Sequence, residues 1–560
     1  MAFLDVPGVV VPSLKLGTNA NSDEITQNTN NINSALADAN NKVVLLPAGV
    51  IYCNNTISMP YGVELRGAAF CPLLPDGQGA IVPASPPPTV LVFPTTVSPC
   101  ITMGNGTANI PGALTNIHIS RLQTTIQSPA WTGTGIYVHG GYNIRIENVM
   151  VSRQAIGYYF KNTPSNGGVG ISAKINGIYS SAITDTHILM DTWPELYISG
   201  GRLGQNGGTD LACNSYVRVT GGSGNGAQGP NSLIVNQVQF NQGFSKPKYW
   251  LEFSSLINSD SNALEYKFDN CHIEGVGYAF IKSDFATESI TQLNITNCTF
   301  NEPSIPFFDL STATTLNDCS IHSCHIFTSN FNLQPNNQIN NLSVCNSLLS
   351  PMSAPASPPS LVMQLIVPAN STVTFSDTCF GGNVKIGGAG NVSFTNPSFK
   401  KGAFVFDTNV PRTGKMFVSN LGYEVIDIIG IAIGTSTNVT YGYRTASWQF
   451  SGNKINVDFR ISITNKNNLT GPVAVTNLPV PFDLNHGGQA AGGGIVTLVD
   501  NVSGLTSPII LSPKKDSGNQ ATQMGLWMST ATGLTQVTGA NLNPSISSPT
   551  RIFGHFSYTF

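Results

Sequence analysis

From about residue 60 to 400 one short pattern keeps returning. It runs apolar, any, apolar, any, small or polar, then Cys or a small apolar residue, any, apolar. Ile144-Arg-Ile146-Glu-Asn148-Val149-Met-Val151 is one copy, and Tyr266-Lys-Phe268-Asp-Asn270-Cys271-His-Ile273 is another. Leu293-Asn-Ile295-Thr-Asn297-Cys298-Thr-Phe300 and Val392-Ser-Phe394-Thr-Asn396-Pro397-Ser-Phe399 repeat it. The sixth positions are Leu122, Val149, Ile178, Gly201, Val238, Cys271, Cys298, Cys324, Ser347, Thr378 and Pro397, at spacings of 19 to 37 residues centred near 27. An earlier match, Val63-Glu-Leu65-Arg-Gly67-Ala68, lies 54 residues before Leu122, which is two periods.

Alternation of period two inside a repeat of about 27 means short strands joined by turns, each coil returning to stack on the last. A single coil cannot bury its apolar face, so the coils must stack to make a core. The expected fold is all-β: a right-handed parallel β-helix of about a dozen coils. At a strand spacing of roughly 4.8 Å these would make a rod on the order of 60 Å long. Variation in spacing puts the extra residues in loops on one side. The longest insertions precede Val238 and Cys271, so a binding surface is expected there.

Cys271, Cys298 and Cys324 fall on one internal ladder. Free Cys is a small buried hydrophobe by habit, and neither C-x-x-C pairs nor histidines at zinc spacing accompany these three. No metal is expected. Gly224, Gly226 and Gly229 have the spacing of a dinucleotide fingerprint, but Pro230 follows and no helix pattern succeeds them, so a loop is expected.

The two ends break the repeat. Glu24, Ile25, Ile32, Ala35, Leu36 and Ala39 carry a helical apolar period, with Ser22 or Asp23 placed to cap it. A helix here would cover the open edge of the first coil, which otherwise invites pairing with other chains. Past about residue 410, Ile455, Val457, Phe459, Ile461 and Ile463 alternate with polar residues. With Asn477–Phe482, a Gly-rich loop at 487–494 and a last strand near Arg551–Phe560, they suggest an antiparallel β-sandwich. The expected organisation is 1–60 for the N-terminal segment and capping helix, 61–408 for the β-helix, and 409–560 for a sandwich that serves trimerisation or carbohydrate binding.

Charged residues are only 10% of the chain and the net charge is −3, with no Lys/Arg cluster to track phosphates, so nucleic acid is not an expected partner. No apolar run reaches the length of a membrane span. Met1-Ala2-Phe3-Leu4-Asp5 lacks the basic and apolar regions of a signal peptide, so either release by another route, such as lysis, or a trimmed N-terminus is expected.

Leu46-Pro-Ala-Gly49 and Gly62-Val-Glu-Leu-Arg-Gly67, following the helix, resemble the start of pectate-lyase-like β-helices. The stretches Trp193–Gly204, Asn236–Asn241, Tyr249–Glu252 and Cys271–Gly275 are similar to those of bacteriophage tailspike depolymerases. The resemblance covers most of residues 15–560. It implies a homotrimer on the virion tail, docked to phage tail or baseplate proteins, that attacks capsular or O-antigen polysaccharide without a cofactor. Tailspikes often begin with a virion-attachment domain, whereas only a dozen or so residues precede the capping region here.

Glycosidic hydrolysis needs two carboxyl groups, one to protonate the leaving oxygen and one to activate water or attack. Among scarce charges, Glu274 stands three residues past Cys271, just after a strand and near Tyr278. It is the expected general acid, with Asp210, Asp191 or Glu252 as partner. Trp193, Tyr249 and Trp250 are candidates to stack on sugar rings, with Glu195, Arg202 and His272 as further substrate contacts. A lyase would instead use a base and a cation from Arg202, His272 and Lys282. A non-enzymatic adhesin, or a secreted pectinase-like enzyme, could use the same scaffold.

Overall fold

The structure is a computed structural model. It describes residues 8–17, 19–38, 43–68, 88–104, 118–120, 122–126, 132–141, 143–162, 172–204, 213–221, 232–241, 246–256, 265–284, 289–311, 314–328, 331, 333, 338–350, 362–399, 404–406, 410, 416–419, 424–426, 430–433, 439–452, 454–467, 471–476, 482–483, 492–503, 509–514, 520–521, 523–530 and 533–559. Asp210, the loop around Gly224–Gly229, Ala39 and the segment 477–481 lie outside the described residues. The chain divides into two compact units: Met1–Ser343 with Pro351–Ser353, and Val344–Ser350 with Ala354–Phe560.

In the first unit the repeat becomes a parallel β-helix, right-handed as parallel crossovers are. The sixth positions Val149, Ile178, Gly201 and Val238 stand in register on successive coils. One residue earlier the backbone enters the left-handed region, at Asn148, Gly177, Gly200, Gln237, Asn270, Asn297 and Ser323. That conformation costs most side chains about 1–2 kcal/mol, and Asn and Gly bear it best. The recurrent Asn of the repeat is therefore a corner residue, bending each strand so that the next position drops into the core. Gly201 is the tightest of these core positions: a Cβ there would stand 1.9 Å from the Ile178 carbonyl oxygen. Any side chain at Gly201 would push two coils apart.

Each coil carries a strand on a first face and, past a further turn, a strand on a second face. The long strand Ala173–Asp191 spans both. Its first part pairs with Glu195–Gly204 and its last part with Ser215–Gly221. The first face continues through Ser232–Asn241, His272–Glu274 and Thr299–Asn301. The second continues through Tyr249–Leu256, Ala279–Ser283 and Phe308–Leu310.

The three ladder cysteines are buried free thiols. Each donates to the carbonyl two residues before it: Cys271 to Asp269 O (3.4 Å), Cys298 to Thr296 O (3.2 Å) and Cys324 to His322 O (3.3 Å). Small side chains with a weak donor suit a position where the coil turns inward and the preceding carbonyl lies close.

The expected helix spans Ser22–Ala37, and its cap is Asn21 rather than Ser22 or Asp23. The Asn21 side chain accepts from the backbone N–H groups of Asp23 and Glu24, and the Glu24 carboxylate accepts from Asn21 N in return. This reciprocal box needs Asn and Glu three apart. The helix buries Ile32 and Leu36. Asn33 Nδ2 donates to Thr56 O (3.0 Å) and its Oδ1 accepts from Ser58 N (2.9 Å), as a neighbouring strand would. Asn28 binds both Lys15 N and O and donates to Tyr52 O. Two side-chain amides thus stand in for a missing strand at the open edge. Among the described residues no helix is long and apolar enough to cross a membrane.

The second unit begins with coils of the same kind, with left-handed Asn346, Asp377 and Asn396 at the corners. Met416–Ser419 is where strand direction changes: it pairs parallel with Asn391–Thr395 and antiparallel with Thr440–Gly452. Beyond it all pairing is antiparallel among the described strands. Val457, Phe459, Ile461 and Ile463 alternate into the core as their spacing predicts. Of the expected Gly-rich loop at 487–494, residues 487–491 lie outside the described residues, and the rest departs from expectation. Gly492–Asp500 is a strand paired to Thr550–Thr559, and a Cβ at Gly494 would meet His555 O at 2.1 Å. Glycine is there for close strand approach.

Candidate active site

Three residues past the sixth position, one row crosses the first face: Ser181, Gly204, Asn241, Glu274 and Asn301 stand in register, the first two buried and the rest reaching the surface. The row lies where each coil turns toward the second face. Two positions back is a second outward row, Tyr179, Arg202, Gln239, His272 and Thr299. Because Gly204 carries no side chain, the Arg202 guanidinium lies beside its Cα, with Nε 3.8 Å from where a Cβ would be. From there Nε and Nη2 donate to Asn241 Oδ1 at 3.1 and 2.7 Å, and Asn241 Nδ2 donates to Glu274 Oε2 at 3.2 Å. A guanidinium only donates and a carboxylate only accepts, so this is the amide orientation both neighbours require.

The turn after Glu274, Gly275–Tyr278, leads to the second face. Tyr278 is 61% exposed, and its ring lies 6.1 Å from that of half-buried Tyr249. On the next coil Glu302 follows Asn301, the register partner of Glu274. Glu302 is buried, accepts from Ser304 Oγ (2.8 Å) and pairs with Lys246, which reaches it from the coil on the other side of Glu274. Arg202, Asn241, Glu274, Lys246 and Glu302 thus come from consecutive coils at one corner, with the Tyr249–Tyr278 pair past the turn.

Of the residues the sequence singles out, Glu274 and Arg202 are brought together, and His272 projects outward from the strand of Glu274. Several others depart from expectation. Trp193 and Trp250 are fully buried, so neither can stack on a sugar. Trp193 packs edge-on to Phe160 and donates to Glu195 O (2.8 Å). Trp250 fills the core against Phe240, Phe268 and Phe300. Trp193 lies in the turn between strands Ala173–Asp191 and Glu195–Gly204, and Trp250 near the start of strand Tyr249–Leu256, and each ring is taken up by the core.

Glu252 is held in an ion-pair ladder. It sits on the second face with its side chain 7% exposed, accepting from Arg218 Nε (2.8 Å) and Lys282 Nζ (3.0 Å). Burial works to raise its pKa, but the two cations outweigh it and hold the carboxyl below its ordinary value. A carboxylate so held is a poor general acid. Arg218 also donates to both oxygens of Asp185 (3.2 and 3.0 Å), and Lys282 lies 5.0 Å from the Tyr249 ring centre.

Asp191 ends the second-face part of its strand, accepting from Tyr159 OH (2.8 Å) with Lys161 Nζ at 3.8 Å. Glu195 starts strand Glu195–Gly204, at the opposite end from Gly204, and hydrogen-bonds the Tyr197 phenol. Burial first, and then Glu195 and Glu265, raise the pKa of that phenol.

Asn241, Lys246 and Glu302 were not singled out from sequence. For Asn241 a signal existed: it stands three past Val238 as Glu274 stands three past Cys271. Equal phase in a stacked repeat places them side by side. Lys246 lies in an insertion, where phase gives no register.

No family model matches the chain, and no curated protein does. Solved structures do. The tailspike of E. coli bacteriophage HK620, in complex with a hexasaccharide, is 9% identical at a TM-score of 0.45, over 99% of this chain and 93% of that one. The tailspike gp49 of Pseudomonas phage LKA1 is 11% identical at 0.41, over 95% and 92%. The A-module of the mannuronan C-5 epimerase AlgE4 of Azotobacter vinelandii is 12% identical at 0.38, over 74% and 100%.

Proposed function

We propose that the chain binds a bacterial surface polysaccharide, capsule or O-antigen, and cleaves its glycosidic bonds at the corner, with Glu274 as general acid. The observation that carries this is the partner of Glu274: a neutral amide, with Arg202 held one residue away behind it. The Asn241 amide holds Glu274 by Oε2 alone among the described residues, so Oε1 can meet a leaving glycosidic oxygen, whereas each oxygen of Glu252 already meets a cation. General acid catalysis needs that direct approach, to protonate the leaving oxygen.

Other groups at the corner fit this role. Arg202, fixed over Gly204 and by its two-point grip on Asn241, offers its remaining N–H groups to sugar hydroxyls or acidic substituents. Exposed Tyr278, tilted against Tyr249, offers an aromatic face to the C–H side of a sugar ring. Glu302, which Lys246 holds on the coil after Glu274, or Asp210 would be the second carboxyl group. We further propose that the protein acts as a homotrimeric phage tailspike, with residues 409–560 holding the chains together.

The test is a screen of purified capsular and O-antigen polysaccharides for new reducing ends, with the intact chain and with Glu274→Gln. Cleavage by the parent and retention without cleavage by the variant are expected. Full cleavage by Glu274→Gln would remove the assignment, and products with unsaturated uronates would move the reaction to a lyase.

A further inference from the structure

On the second face, in coils that precede the corner, six positions of outward phase form a grid, five of them half-buried and one, Leu189, buried. Tyr137, Tyr159 and Leu189 stand in register, as do His139, Lys161 and Asp191. The residues between them, Val138, Phe160 and Met190, are core, so the alternation of the strands turns the grid outward. The Tyr137 ring lies 5.0 Å from the Tyr159 ring and 5.2 Å from the His139 ring, stacked on the latter at 29°. All three rings are half-buried. At one edge the Asp191 carboxylate accepts from Tyr159 OH (2.8 Å), and Lys161 stands 3.8 Å from it with its side chain 39% exposed.

The corner chemistry does not use this cluster. The Tyr159 phenol is no base: burial, and then Asp191, push its pKa far up. His139 is held toward its neutral form by burial and by Lys161. What remains is a shelf of three rings of low conformational freedom, edged by an acceptor and a donor. Tyrosine gives such shelves rigid contact area with little entropy to lose. A sugar ring matches the set: its C–H face lies on the rings, and neighbouring hydroxyls reach Asp191 as donors and Lys161 as acceptors. The carboxylate and ammonium balance, which favours a neutral hexose over a uronate.

We propose that this shelf is a glycan-binding subsite separate from the corner, taking a neutral sugar unit of the polysaccharide. It rests on the proposed function only in taking the same polysaccharide.

The experiment is hydroxyl-radical footprinting of the full-length Glu274→Gln chain, read by mass spectrometry, with and without each polysaccharide of a purified capsular and O-antigen panel. Protection of Tyr137 and Tyr159 together with Tyr278 is expected. Protection at Tyr278 alone would overturn the shelf and leave the corner standing. Protection at Tyr137 and Tyr159 alone would support the shelf and sink the corner, and protection nowhere would sink both. Tyr137→Ala in the Glu274→Gln background should weaken binding of the protecting polysaccharide by about ten-fold, the scale of one aromatic contact, with cooperative thermal unfolding retained. Tyr159→Phe, which keeps the ring, should retain most of that binding. Unchanged affinity in Tyr137→Ala would count against the shelf.

Discussion

The corner row and the second-face ladder are built from the same material. Each places charged residues on stacked coils: Arg202 and Glu274, two coils apart, in one, and Arg218, Glu252, Lys282 and Asp309, on consecutive coils, in the other. In the ladder the charges alternate one coil apart, so opposite charges touch and every oxygen of Glu252 has a cation. In the corner Asn241 occupies the coil between Arg202 and Glu274, and the charges meet only through its amide. Coil spacing is the same in both; spacing of the charges by one coil or two decides whether a carboxyl group meets cations directly or only through an amide. A dense cluster of charges is thus a weaker sign of chemistry than a sparse one with an amide in it.

The sharpest way to break this contrast is to remove each carboxylate. Glu274→Gln should lower polysaccharide cleavage by at least about 100-fold, the range of a lost general acid, with little change in unfolding midpoint. Glu252→Gln should do the reverse. It leaves Arg218 and Lys282 without their shared partner in a largely buried site, at about 3 kcal/mol of stability. Denaturant unfolding should show that loss, while cleavage per folded molecule stays near parental. If Glu252→Gln abolished cleavage in a folded protein, the ladder would be part of the site.

Acid titration sharpens the same point. The folded pKa of Glu252 lies below its ordinary value of 4.5, so its stabilising effect is complete above that pH and is lost as pH falls through the folded value. The stability gap between parent and Glu252→Gln should therefore be flat at neutral pH and close below about pH 4.5. A gap that widened in acid would mean that the carboxyl is protonated in the folded state.

Smaller effects are expected from geometry. Arg202→Lys keeps the charge but loses the forked grip on Asn241, and should weaken polysaccharide binding by about ten-fold or less, measured by titration calorimetry on the Glu274→Gln background. Asn270→Ala, at φ 53°, should cost about 1 kcal/mol, and Asn270→Gly much less, by thermal unfolding.

How far the sequence could be read differs between these same regions. The repeat phase carried the fold, because one corner residue in a left-handed conformation and one core residue recur in every coil. It also placed Glu274 and Arg202 on one face. It could not separate Trp193 and Trp250 from exposed aromatics: an aromatic in an insertion-rich coil has the same composition signal whether it points in or out. Tyr278, in a short turn, carried no strand signal. Gly494 was misread because glycine runs serve loops and close strand approach alike.

By itself, then, the sequence determined the stacking: which residues turn the chain, which enter the core, and which strand follows which. These are local matters of backbone conformation and period-two burial. Only the tertiary structure decided which charges are neighbours. Neighbours across coils lie one stacking distance apart in space but 19 to 37 residues apart in the chain, and insertions such as that carrying Lys246 shift the count. That is why Glu252 could resemble Glu274 in sequence, and why only folding shows one ion-paired to two cations and the other beside an amide.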